Sequence, residues 1–330
     1  MSTFSMRFTR HAMVAVLLLG VVITACTGND APPDEASREQ TRRTDDPRRR
    51  DSEGDGRARR RERGESDRDQ ARGTFRNETF RLAVIGDFGE GNRDEHRVSD
   101  AVRAWVEDTG ADALVTTGDN IYPAGDPEYF EDAWREPYGW VKRQGLEIIA
   151  SLGNHDVEAG QGDSVMRLLG SPSAWYRDQI GSADLFVLDA NRPTDAEQRQ
   201  WLDKALSSSK AAWQIAVFHQ PAFSCSKHGS TPEVVQEWVP LFERYGVDLV
   251  LNGHDHNYQR FFSNGVTYVV TGGGGAELYG LRSCDDDHPE RVEGSDEEHH
   301  FVGVFGSEKT LRLVAIEDDE DVIDVVRLNS

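Results

Sequence analysis

From residue 80 to about residue 275, short apolar runs rich in β-branched and aromatic side chains alternate with stretches whose apolar residues recur every three or four positions. The runs at 80–85, 113–117, 147–152, 185–188, 213–218, 247–251 and 266–270 predict strands. Between them Val98, Val102, Trp105 and Val106 share one face of a helix, as do Trp201, Leu202 and Ala205, and as do Val234, Val235, Trp238, Leu241 and Phe242. Strands separated by helices predict an α/β fold. From 302 to 328 strand follows strand with no helical interval, which predicts an antiparallel finish. No internal repeat and no second linker interrupts residues 76–330, a length that one α/β domain fills.

The first 75 residues have a different character. Arg7 and Arg10 flank an apolar run at 13–23 that is too short to cross a bilayer and is followed by small residues up to Cys26. The tetrad Ile23-Thr24-Ala25-Cys26 resembles the bacterial lipobox. That resemblance implies a lipoprotein signal peptide at 1–25, a lipid on Cys26, and an exported protein anchored to a membrane of the cell envelope. A plain cleaved signal peptide is the simpler alternative. Residues 27–74 hold 13 Arg against 13 Asp plus Glu and almost no large apolar side chain. They cannot bury enough surface to offset the entropy of ordering, so residues 26–75 are expected to be a lipidated cysteine followed by a disordered charged tether.

Removing that segment sharpens the charge of the remainder. Residues 76–330 carry 22 Lys plus Arg against 46 Asp plus Glu, a net charge of −24. Such a field repels polyanions and excludes nucleic acid as a partner. In an oxidising compartment Cys225 and Cys284 remain as an even pair, compatible with a disulfide between their loops or with two free thiols.

Chemistry enters where the strands stop. Five of the runs end in short polar motifs: GDFG at 86–89, GDNIYP at 118–123, GNHD at 153–156, FHQP at 218–221 and GHDHNYQR at 253–260. In open α/β sheets ligands bind in the crevice beyond the strand carboxyl ends. The five segments therefore converge, delivering Asp87, Asp119, Tyr122, Asn154, His155, His219, His254 and His256 to one place. Any single motif reads equally as a turn or a hydrogen-bonded loop. Together and in order they read as a metal site, with GHDH and GNHD the most specific parts. Mixed oxygen and imidazole donors suit Fe, Zn or Mn rather than Mg or Ca, and no C-x-x-C competes as a structural zinc site. Two ions about 3.5–4 Å apart activate water and neutralise phosphoryl charge, which are the two needs of phosphate ester hydrolysis.

Several neighbours carry secondary expectations. Asp156 is expected to orient His155 or a ligand through a hydrogen bond, or else to be a turn carboxylate. The glycines at 272–275 lack the Lys-Ser/Thr of a phosphate-cradling loop and predict a flexible wall of the crevice. His288, His299 and His300 stand among acidic residues and are expected to be solvated.

The ordered set resembles the calcineurin-like metallophosphoesterase superfamily and, within it, the purple acid phosphatases. Most of the superfamily has a His two residues after the first Asp, where this chain has Gly89; the purple branch has a Tyr in the second motif, where this chain has Tyr122. The stretch 219–260, with its His228-Gly229, is similar to the small, tartrate-resistant type. The resemblance spans residues 80 to about 275 and fades in the acidic C-terminal part; Ala216 stands where Val is common, a change of packing only.

This resemblance implies a four-layer α/β/β/α sandwich forming a single catalytic domain. It implies an Fe(III) ion held by Asp87, Asp119, Tyr122 and His256, and a second ion, Fe, Zn or Mn, held by Asp119, Asn154, His219 and His254, with Asp119 bridging. The reaction it implies is hydrolysis of small phosphomonoesters by in-line attack of a hydroxide generated at the metal pair. His155 would serve as general acid, His228 would face the substrate, and a ferric phenolate at Tyr122 would colour the protein. A phosphodiesterase or nucleotide hydrolase on the same centre is one alternative. A non-catalytic surface binding module on the same fold is another.

Overall fold

The computed structural model describes residues 78–285 and 288–330. The expected signal peptide, the lipidated Cys26 and the tether lie outside the described residues. In chain order the elements are β1 (Phe80–Ile85), α1 (Arg93–Thr109), β2 (Ala113–Thr116), α2 (Glu136–Gln144), β3 (Glu147–Ala150), α3 (Asn154–Glu158), α4 (Gly162–Leu169), β4 (Tyr176–Ile180) and β5 (Ala183–Val187). They continue with α5 (Ala196–Ser208), β6 (Trp213–Val217), α6 (Pro232–Glu237), α7 (Val239–Tyr245), β7 (Leu249–Asn252), β8 (Tyr258–Ser263) and β9 (Val266–Thr271). The finish is β10 (Arg291–Ser295), β11 (His300–Gly306), β12 (Thr310–Glu317) and β13 (Val322–Asn329).

The strands form two sheets, of order β13-β12-β11-β1-β2-β3 and β10-β8-β9-β7-β6-β5-β4. In the first, β1, β2 and β3 are parallel and the C-terminal strands add antiparallel to β1 through β11, as the unbroken strand pattern from 302 onward predicts. In the second, β5, β6, β7 and β9 are parallel.

Side-chain alternation assigns the layers. Leu82 and Val84 of β1, Ile215 and Val217 of β6, and Leu249 and Leu251 of β7 share one apolar cluster with Leu311 and Leu313 of β12, the core between the sheets. The alternate residues Ala83 and Ile85 face outward into a cluster with Val98, Val102 and Trp105 of α1. Ala216 and Val250 face outward on the other sheet, toward Leu202 of α5 and Phe242 of α7. Period two in the strands and period 3.6 in the helices thus build three apolar interfaces, which is an α/β/β/α sandwich.

Three strands have no counterpart in the apolar pattern. β4 and β10 lie at sheet edges and need only one polar-tolerant face, and β8 begins inside the GHDHNYQR motif. The helical face from Val234 to Phe242 is broken at Trp238 into α6 and α7, because Pro240 has no N–H to extend the ladder.

Candidate metal centre

Five strands deliver the candidate ligands, and the two sheets share the task. β1, β2 and β3 end just before Asp87, Asp119 and Asn154; β6 and β7 end just before His219 and the His254–His256 pair. Among the described residues five non-glycine residues have positive φ, and three of them are Asp87 (57°), Asp119 (53°) and His254 (73°). Left-handed backbone is costly for such residues and persists where the surroundings impose it, often at functional sites. Gly118, at φ 101°, also leaves room: a Cβ there would stand 2.6 Å from Nδ1 of His219.

The side chains converge as the motifs predict. His219 Nε2 is 3.2 Å from Asp119 Oδ2, 3.0 Å from Asn154 Oδ1 and 3.2 Å from His254 Nδ1. His256 Nε2 is 3.4 Å from Asp87 Oδ1 and 3.3 Å from the Tyr122 hydroxyl, which is itself 3.1 Å from Asp119 Oδ2. Asp119 lies between the two groups, and ligand atoms of Asp87, Asp119 and His219 all fall within 4.8 Å of one another.

Proton accounting tests whether a cation fits. His219 Nδ1–H donates to the Thr117 carbonyl at 2.9 Å and His256 Nδ1–H donates to the Glu277 carbonyl at 2.7 Å. In the neutral rings both Nε2 atoms therefore present lone pairs inward. Those lone pairs meet carboxylate and amide oxygens and a second imidazole nitrogen in a buried setting. One proton on His219 Nε2 could serve only one of the two oxygens; a cation serves both together with the His254 nitrogen. The strain appears in the titration: burial opposes a charged His219, but Asp119 and Asp87 outweigh it and raise its pKa to about 9. His254 moves the other way, held down by burial and by His219 and His228. The donor set fits metal.

Comparison with known proteins agrees. The sequence profile of the calcineurin-like phosphoesterases matches residues 80–258, more than half of the chain. The chain belongs to that family. It is 30% identical over 228 residues to purple acid phosphatase 17 of Arabidopsis thaliana, covering 58% of this chain and 67% of that one. It is 28% identical over 236 residues to human tartrate-resistant acid phosphatase type 5, covering 59% and 73%. Among solved structures, a purple acid phosphatase from yellow lupin seeds superposes with a TM-score of 0.68 at 18% identity, covering 76% of this chain and 53% of that one. The GAP50 anchor of the Plasmodium inner membrane complex superposes equally, with a TM-score of 0.68 at 17% identity, covering 77% and 89%. Membership places the protein among phosphate ester hydrolases, and a binuclear metal centre is typical of its purple acid phosphatase relatives.

Around the ligands, this phosphoesterase carries supports that the motifs only partly announce. Asp156 is fully buried, and burial with the nearby Asp119 raises its pKa to about 7. It accepts from the Asn120 and Ile121 backbone N–H groups, from Asn120 Nδ2 and from Gly153 N–H. It therefore stitches the Asp119 loop to the Asn154 loop instead of orienting the His155 ring. That ring donates from Nδ1 to the Pro123 carbonyl at 2.6 Å and lies 4.4 Å from the Tyr122 ring. His228 packs 4.3 Å from His254, its backbone N–H held by Asp255.

Three sequence expectations change here. The glycines at 272–275 are packed tightly rather than loosely: a Cβ at Gly273 would collide with the His300 ring, and one at Gly275 would stand 2.6 Å from the Glu95 backbone. His299 and His300 are buried: His299 Nε2 lies 3.1 Å from the Ala276 carbonyl, and His300, at the start of β11, packs its ring against Gly273. His288 is half-buried and engages Ser230 Oγ through Nε2 at 2.6 Å. Cys225 and Cys284 form a disulfide, which fastens the loop carrying His228.

Sequence reading missed Asp255 and Tyr279. Asp255, between the two histidines of GHDH, accepts from Ser224 Oγ and from the backbone of His228 and Gly229. Its place in the motif was the available signal. Tyr279 lies in an irregular loop and has no signal.

Proposed function

We propose that this protein is a phosphomonoesterase of the purple acid phosphatase type, working with Fe(III) and a second ion, Fe, Zn or Mn. The fold does not decide this, since neighbours of equal TM-score include a phosphatase and an anchor. The observation that carries the reading is His219 Nε2, which lies within 3.2 Å of a carboxylate oxygen, an amide oxygen and a second imidazole nitrogen while Nδ1 is already committed.

Asp87, Asp119, Tyr122 and His256 would hold one ion; Asp119, Asn154, His219 and His254 would hold the other. When bound, the pair lowers the pKa of a water and neutralises phosphoryl charge. The chain's own groups do the rest. Thr117 and Glu277 carbonyls fix both Nδ1–H groups, so that Nε2 faces the site. His155, one-third exposed and anchored through Nδ1, can release a proton from Nε2 to a departing oxygen. His228 stands at the mouth beside His254 and can contact the bound ester. Export and a lipid on Cys26 belong to the same proposal and rest on residues 7–26.

The test is turnover of an aryl phosphate and of its bis-aryl diester by the full chain loaded with iron and zinc. Preference for the monoester supports the proposal, preference for the diester moves the protein to the phosphodiesterase alternative, and turnover of neither leaves the binding-module reading. Membrane fractionation of a Cys26→Ser variant tests the anchor, which fails if that variant stays with the membranes after an alkaline wash.

A further inference from the structure

Beside the site, one cation stands apart from the charge pattern of the protein. The chain carries a net charge of −24 over residues 76–330, yet Lys227 follows Ser226 directly into His228 at the mouth. Its Nζ lies 3.8 Å from the centroid of the Tyr279 ring. Among the described residues no carboxylate forms an ion pair with it. The Lys227 residue is exposed.

Its platform is firmly seated. The Tyr279 ring lies on the His256 imidazole, with centroids 3.9 Å apart and planes 14° from parallel, and meets His228 edge-on at 5.4 Å. Tyr279 N–H donates to the His256 carbonyl at 2.8 Å, and the Tyr279 carbonyl accepts from Asn257 Nδ2 at 2.8 Å. The loop bearing Lys227 is fixed by the Cys225–Cys284 disulfide on one side and by Asp255, which accepts from His228 and Gly229, on the other. An ammonium over an aromatic face is attracted by the ring quadrupole. Tyr279 thereby restrains a long side chain that would otherwise wander.

On the phosphomonoesterase reading, a substrate whose phosphoryl group lies over the ligand cluster can project its remainder past His228, which is exposed beside His254. We propose that Lys227, held by Tyr279, is a specificity-determining residue that binds a second anionic group on the leaving portion of the substrate. The preferred substrates are then phosphomonoesters whose leaving group carries its own negative charge. This rests on the phosphomonoesterase reading above. The protein's net field disfavours such substrates at a distance, but at physiological ionic strength that field is screened beyond about 8 Å, and a local cation acts inside that range.

The experiment compares para-carboxyphenyl phosphate with phenyl phosphate on the metal-loaded full chain. Differences in intrinsic reactivity cancel when the selectivity ratio of a variant is divided by that of the parent. In Lys227→Ala the kcat/KM ratio, charged over uncharged, falls about tenfold, chiefly through KM; in Lys227→Glu it falls further; in Lys227→Arg it recovers. Raising the ionic strength lowers the ratio in the parent and leaves the Lys227→Ala ratio flat, a response that a purely structural role would not produce. The proposal is overturned if the ratio stays within twofold of the parent in both the Ala and the Glu variants while phenyl phosphate is still hydrolysed. If the parent hydrolyses neither ester, the phosphatase reading itself fails and the subsite falls with it.

Discussion

The hydroxyl of Tyr122 lies 3.3 Å from Nε2 of His256, with Asp119 Oδ2 3.1 Å away on its other side. Burial raises the pKa of this phenol far above its ordinary value, and the charges of Asp119 and Asp87 push it in the same direction. The proton therefore leaves only if a stronger positive charge replaces it. Adding ferric ion to the metal-free protein should release this proton and produce a visible absorption band. Tyr122→Phe should abolish the band. A fully iron-loaded Tyr122→Phe protein that keeps the colour would remove Tyr122 from the centre.

The His155 imidazole is held at Nδ1 by the Pro123 carbonyl at 2.6 Å, with Glu158 Oε2 3.5 Å away. Both partners sit at Nδ1, so Nε2 remains for the leaving oxygen. His155→Ala should lower kcat roughly 10²- to 10⁴-fold on alkyl phosphates, whose alkoxide leaving groups need a proton. Nitrophenyl phosphate needs none and should lose much less. An equal loss on both substrates would show that His155 acts by some route other than protonating the leaving group.

How much of this was legible in the sequence differs between the sheets and their connections. Asp87, Asp119, Asn154, His219 and His254 each follow the end of an apolar run, so locating the strands located the candidate ligands. Position in the chain says nothing about contacts made through space. Tyr279 stacks on His256 from a loop with no periodicity, and His300 disappears under Gly273 although its sequence neighbours are acidic and exposed. Asp156 was expected to orient His155 or a ligand, or else to be a turn carboxylate, and a GNHD motif does not reveal that its carboxylate reaches across to Asn120. Edge strands β4 and β10 escaped for a simpler reason: with one face free, their residues need not be apolar.

That bridging role of Asp156 has a measurable consequence. Its carboxylate receives four hydrogen bonds from Asn120, Ile121 and Gly153 in a fully buried position. Asp156→Ala would strand those donors, each at a cost of about 1–3 kcal/mol, so a total loss of about 3 kcal/mol or more is expected. Denaturant unfolding of the metal-free protein isolates this structural term. Metal content measured on the same variant should fall as well, since the loops carrying Asp119 and Asn154 lose their common tie. Unchanged unfolding would mean that the two loops are held together by other contacts.

His300 supplies a pH dependence that lies outside the metal centre. Burial is the main cause that lowers its pKa to about 4, His299 adds to it, and the Glu298 carbonyl, 3.4 Å from Nδ1, works against it. The ring faces Gly273 and meets Tyr258 edge-on at 5.7 Å, and its Nε2 has no hydrogen-bond partner. A histidine held neutral in the folded state keeps its full contribution above the unfolded pKa near 6.5 and loses it as pH falls through the folded pKa. The loss should run from pH 6.5 down to about 4 and amount to about 3 kcal/mol. His300→Gln removes this titration and leaves the residues of the candidate metal centre in place. The difference in unfolding free energy between parent and variant should therefore shrink by about 3 kcal/mol between pH 7 and pH 4. Urea unfolding across that range reads it directly, and a difference that stays constant would place the acid sensitivity of the fold elsewhere.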